Sequence, residues 1–179
     1  MKLLILIFPF LITLLLISCG NKGLGRDEAA KLVKEKFGYP KVWHHDIYCG
    51  DPGQAKNVLD AGLEEKGFLT VLRKRSIMDG YKPLINLTSK ADPYLLPTPE
   101  EAKKRNVQIV KLADEEFVAI TAIKNLSDNK TAIVEYTTVF KNVTPFSALV
   151  KGRNFKDTMT HKAQFSLYDD GWHREKGMW

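Results

Sequence analysis

Residues 107–141 read VQIVKLADEEFVAITAIKNLSDNKTAIVEYTTVFK, and the fold turns on how that run is divided. The spacing predicts one strand over 107–112. The acidic triplet Asp114, Glu115 and Glu116 then reads as a turn. A second strand is expected over 116–124, apolar on both faces: Phe117, Ala119 and Ile123 on one, Val118, Ile120 and Ala122 on the other. Residues 125–130 form a polar hairpin loop. Residues 131–141, rich in β-branched and aromatic side chains, form a third strand. A loop with Pro145 and Gly152 follows. In the next strand, 159–168, Ala163, Phe165 and Leu167 alternate with Lys162, Gln164 and Ser166. Asp169, Asp170 and Gly171 then turn the chain into a closing strand over 172–175. Consecutive strands joined by short loops pair antiparallel. The expectation is a curved antiparallel sheet of four to five strands.

A one-sided sheet must be covered, and the first half of the chain supplies the cover. A helix over 27–37 follows from Ala29, Leu32, Val33 and Phe37, with Asp27 as its cap and Gly38 and Pro40 as its stop. Residues 41–48 alternate as an extended segment, with Trp43, His45 and Ile47 on one face and Val42, His44, Asp46 and Tyr48 on the other. Gly50, Asp51, Pro52 and Gly53 read as a turn. A second helix is expected over 54–66, stopped by Gly67, and short strands over 68–74 and 82–88 around a turn at Asp79 and Gly80. Residues 89–99 hold three prolines and are the best internal boundary. Thr98, Pro99 and Glu101 then read as the start of a short helix. The fold class is α+β, a curved antiparallel sheet packed against N-terminal helices. The body runs over 27–179, with 27–88 and 98–179 as possible subdomains. One shared core is expected, since neither half alone has much apolar surface to bury.

Ahead of this body stands MKLLILIFPFLITLLLISC, residues 1–19. A lone Lys2 precedes an apolar run shorter than the ~20 residues a spanning helix needs, which is the build of a secretory signal. Leu16, Ile17, Ser18 and Cys19 resemble the lipobox of bacterial lipoproteins. That resemblance implies a signal peptide over 1–18, a diacylglyceryl group on the Cys19 thiol, cleavage before Cys19 and acylation of its amine. Each buried methylene adds about 0.8 kcal/mol, so several chains hold a protein at a membrane. The resemblance places the body outside the cytoplasm on the cell envelope. Gly20 rather than an acidic residue follows Cys19, which favours the outer membrane in a Gram-negative cell. Three glycines in residues 20–26 read as a flexible tether.

The chain of 179 residues carries 27 Lys and Arg against 21 Asp and Glu, a formal charge of +6. Basic clusters at Arg73, Lys74 and Arg75 and at Lys103, Lys104 and Arg105 suit anionic neighbours. An envelope location points to an envelope protein or an anionic envelope polymer as partner and excludes nucleic acid. Cys19 and Cys49 are the two cysteines. With Cys19 lipidated, Cys49 is left without a disulfide partner and reads as a small buried apolar residue. The Asn-x-Ser/Thr triplets at Asn86, Asn125, Asn129 and Asn142 fall to chance in such a protein.

Chemistry-bearing residues are sparse. His44, His45, Asp46 and Cys49 form one local cluster of metal-ligand types. On a strand His44 and Asp46 share a face, which suits two ligands of one ion. His161 and His173 join such a site only through folding. The sequence lacks the nucleophile and phosphate-loop motifs G-x-S-x-G, H-E-x-x-H and G-x-x-x-x-G-K. No cofactor is expected. The closing FSLYDDGWHRE resembles the last hairpin of cystatin-like and nuclear-transport-factor-like cone folds, over roughly 107–175. Such folds hold a pocket between sheet and helix and serve enzymes and non-enzymes alike. The expectation is a lipid-anchored, non-enzymatic binding module for an envelope protein, a glycan or a small ligand. The alternative is a metal-dependent protein built on His44, His45 and Asp46.

Overall fold

The computed structural model describes residues 23–74 and 82–176. Cys19 and the rest of the lipobox, Arg75, the expected turn at Asp79 and Gly80, and the terminal Met178 and Trp179 lie outside the described residues. Among the described residues three α-helices, α1 (Arg26–Phe37), α2 (Pro52–Asp60) and α3 (Glu100–Lys104), accompany seven strands. These are β1 (Lys41–Tyr48), β2 (Leu69–Val71), β3 (Ile85–Leu87), β4 (Val107–Asn125), β5 (Thr131–Lys141), β6 (Met159–Tyr168) and β7 (Gly171–Arg174). Strands β1, β4, β5, β6 and β7 form one antiparallel sheet in that order, curled into a half-barrel; β2 and β3 form a separate hairpin. Among the described residues no helix is long and apolar enough to cross a membrane.

Strand β4 corrects the division expected at the acidic triplet. Asp114, Glu115 and Glu116 do not turn: they continue a 19-residue strand, in register with Lys41 and Val42 on one side and Lys141, Phe140 and Val139 on the other. The triplet holds no Gly, Pro or Asn to supply turn dihedrals. The register slips three times, beside Leu112, at Val118 and at Thr121. Each slip is a bulge, and each bulge bends and twists the strand. Because of the last two, the inward residues are Phe117, Ile120 and Ile123, three apart rather than two. Val118 and Ala122, expected beside Ile120, are exposed. The bulges therefore convert a run that reads as apolar on both faces into a one-sided, strongly curled strand.

Strand β5 needs no such device. Ala132, Val134, Tyr136, Thr138 and Phe140 alternate inward without a break. The concave face they build is filled by two apolar clusters. One packs α1, through Ala29 and Val33, on Ile120, Val134, Tyr136, Phe165 and Trp172. The other packs α2 and the hairpin, through Val58, Phe68 and Ile85, on Ile47, Val110, Leu112, Phe140 and Phe146. Each cluster draws on residues from both 27–88 and 98–179.

Several local expectations are adjusted. Asp51 and Pro52 do not form a free turn: Asp51 caps α2, accepting from the Gln54 amide at 2.7 Å, with Pro52 at the first helical position. The helix ends at Asp60 rather than 66, and Gly62 and Gly67 take left-handed dihedrals in the turns that follow. Gly25 rather than Asp27 caps α1, and Asp27 sits in its first turn. Pro99 rather than Thr98 caps α3; the Thr98 hydroxyl accepts instead from the Ile109 amide. Within the stretch read as a tether, Gly23 and Leu24 are packed and Gly25 is exposed. Leu24 is buried, and its amide donates to Asn125 Oδ1 at 2.9 Å while Asn125 Nδ2 donates to its carbonyl at 3.3 Å. Gly23 lies so close to the Asn125 side chain that any Cβ there would clash at 2.4 Å.

Candidate binding site on the concave face

A line of polar side chains crosses the concave face diagonally, between the two apolar clusters. Each sheet strand from β1 to β6 contributes one inward residue: Lys41, Glu115, Thr138 and His161. Glu115 is the centre. It is 3 % exposed, yet both of its oxygens are bonded. Oε1 accepts from Thr138 Oγ1 at 2.7 Å and lies 3.2 Å from His161 Nε2; Oε2 accepts from Trp43 Nε1 at 2.8 Å. Burial alone would disfavour the charge. The donors Thr138 and Trp43, with the positive charge of His161 and Lys41, outweigh it and hold the carboxyl below its ordinary pKa.

The hydrogen-bond pattern requires a proton on His161 Nε2. The Thr138 hydroxyl spends its one proton on Glu115, so its contact with His161 Nε2 at 2.9 Å requires the ring to donate. Nε2 carries the proton, and Nδ1 is the nitrogen that this network leaves over. The His161 side chain is 26 % exposed, so the network reaches the surface there.

Aromatic rings flank this line. His161 stacks on Tyr136 at 5.1 Å between centroids, and Tyr136 meets Phe37, Tyr39 and Phe117 at 5.6–6.2 Å. The Tyr39 and Tyr136 hydroxyls are 3.4 Å apart. Burial, with the charge of Glu115 adding to it, pushes both of these phenols up, so both stay neutral. On the other side Trp43 packs edge-on against Phe140 and Phe155. Phe37, Tyr39, Trp43, Phe117 and His161 are all half-buried. Two hollows open on either side of Pro40. One, of about 270 Å³, is bounded by Lys34, Tyr39, Glu116 and Phe117; the other, of about 510 Å³, by Gly38, Lys41, Val42, Trp43 and His44, so it reaches round the β1 edge to the convex side. The arrangement offers aromatic surface, a proton-bearing imidazole and fixed charge to a ligand.

The cluster around His44 is divided by the sheet. His44 and Asp46 share the convex face with Nε2 and Oδ1 4.0 Å apart, and Lys111 stands opposite His44 in register. His45 points to the concave side, its Nε2 3.4 Å from Gln54 Oε1. Cys49 is buried, as expected of a small apolar residue; its thiol donates to the Ile47 carbonyl and burial pushes its pKa up to about 11. Among the described residues no group of three or more His, Cys, Asp or Glu side chains is placed to hold a metal ion. His161 joins Glu115 rather than His44, and His173 bonds Asp170 at 2.8 Å beside the closing turn. Of the basic clusters, Arg73 pairs with Glu64, Lys103 with Glu100 and Lys104 with Glu101.

Glu115, Thr138, Tyr39 and Tyr136 were not among the expected site residues. A signal for His161 exists: extending the alternation of Ala163, Phe165 and Leu167 back by one step places it on the apolar face. A polar residue on such a face demands a buried partner. No family model, curated protein or solved structure matches the chain.

Proposed function

We propose that the chain is a bacterial lipoprotein, held on the cell envelope through Cys19, whose concave face binds an envelope component without transforming it. The lipobox at Leu16 to Cys19 supports the anchor. The observation that carries the binding role is the strip of half-buried aromatics around Glu115 and His161. Glu115 is fully occupied by its three donors, which suits a fixed binding surface better than a group that must exchange protons. The anchor is tested by expressing the full chain in a bacterial host fed labelled palmitate. The wild type takes up label and sediments with membranes, and Cys19→Ala does neither. An unlabelled wild type would refute the anchor.

A second reading, metal binding at His44 and Asp46, is favoured by one observation: Asp46 Oδ1 is buried and finds no hydrogen-bond partner. Zinc titration of wild type and His44→Ala, followed by melting temperature, tests it. Equal melting temperatures with and without zinc would end it.

A further inference from the structure

Four cations sit on the rings of the concave strip. Lys41 Nζ lies over Tyr39 at 4.7 Å and Phe37 at 5.4 Å, the Arg174 guanidinium over Phe37 at 4.1 Å, Lys34 over Phe117 at 5.3 Å and Arg153 over Trp43 at 4.8 Å. Elsewhere some lysines find acids, as in Lys31 with Glu35 and Lys162 with Glu135, and Lys90 lies over Phe68 at 4.9 Å. Among the described residues none of these four cations is in an ion pair with a carboxylate. Glu116 borders the hollow at Lys34, and Glu115 is already held by Trp43, Thr138 and His161. The strip therefore presents surplus positive charge, each head held in place by the ring beneath it.

The strip also has a direction. Its residues come from α1, β1, β4, β5, β6 and β7, so it crosses the sheet from edge strand β1 to edge strand β7. A peptide docking by strand addition runs along one edge and meets the residues of that strand, not a line from β1 to β7. A polymer of sugar rings needs no backbone pairing. Its C–H faces lie on aromatic rings, and its acidic groups meet cations.

We infer that the concave strip binds an acidic glycan, with its carboxylate or phosphate groups at Lys41, Arg153 and Arg174 and its sugar rings along the aromatic surface that those cation heads leave uncovered. This deepens the binding role proposed above and rests on it. The test uses the detergent-solubilised full chain with three probes: oligogalacturonate, neutral dextran of equal length and poly-L-glutamate. Oligogalacturonate binds at least several-fold tighter than either of the others, and binding falls as salt rises. Lys41→Gln and Arg174→Gln each weaken it about fivefold, the worth of one exposed charge pair, while Lys130→Gln at the β4–β5 hairpin leaves it unchanged. Melting temperatures of the variants confirm that they fold; Arg153→Gln replaces any that does not. Equal affinity for poly-L-glutamate or dextran, or no binding of oligogalacturonate, would overturn the inference. Those results leave the anchor standing, since it falls only with the palmitate experiment.

Discussion

At Glu115 three donors converge on a carboxylate that water barely reaches. Breaking a buried pair costs more than the pair is worth, because the remaining partner is left unsatisfied. Glu115→Gln is expected to destabilise the protein by about 2–4 kcal/mol at neutral pH, read by urea unfolding. The pH dependence follows from the direction of the shift. The folded carboxyl titrates below its ordinary value of 4.5, so its contribution is complete above that value. It is lost as the pH falls through the folded pKa. The gap between wild type and Glu115→Gln should hold constant above the ordinary value of 4.5 and narrow as the pH falls below it; a gap that persists into acid would refute an ionised Glu115. Thr138→Val, nearly equal in shape, removes one donor and should cost about 1–2 kcal/mol in the same assay. Little of this was legible beforehand. Glu115 reads as a turn residue when its neighbours alone are considered, because its partners lie 23, 46 and 72 positions away.

Strand β4 shows why period alone misleads. Residues 116–124 fit a two-residue alternation on either face, and the inward set becomes Phe117, Ile120 and Ile123 only once two bulges are placed. A bulge is specified by the curvature the whole sheet must reach, which no local window contains. Strands β1, β5 and β6 carry unbroken alternation on their inward faces, and their bounds match those expected from sequence. Two truncations separate the alternatives on β4. Ile120→Ala, at a site 5 % exposed, should cost about 2–4 kcal/mol. Val118→Ala, more than half exposed, should stay within about 0.5 kcal/mol. Comparable losses at both positions, measured by thermal unfolding, would contradict the bulged register. At α2, Asp51→Ala removes the acceptor of the Gln54 amide and should cost about 1 kcal/mol.

Over the whole molecule the two apolar clusters tie the halves of the chain together. The proline-rich stretch at 89–99 resembles a boundary in composition, yet Leu96 donates its amide to Ile109 within β4, and each cluster mixes early and late residues. A fragment of residues 98–176 keeps four of the five sheet strands but loses β1, α1 and α2. It should show no cooperative unfolding by circular dichroism; a sharp transition in that fragment would mean an independent second core. The sheet class, its antiparallel pairing and the helical cover were legible because each rests on local pattern. The seam between the clusters was not, since it exists only where four strands meet. The clasp between Leu24 and Asn125 has a mechanical consequence. Any tension applied through the chain ahead of Gly23 enters the body at this point, beside the hairpin end of β4. Two hydrogen bonds and one buried leucine take the load before α1 does, so this corner is the fuse of the molecule, and the concave strip lies downstream of it.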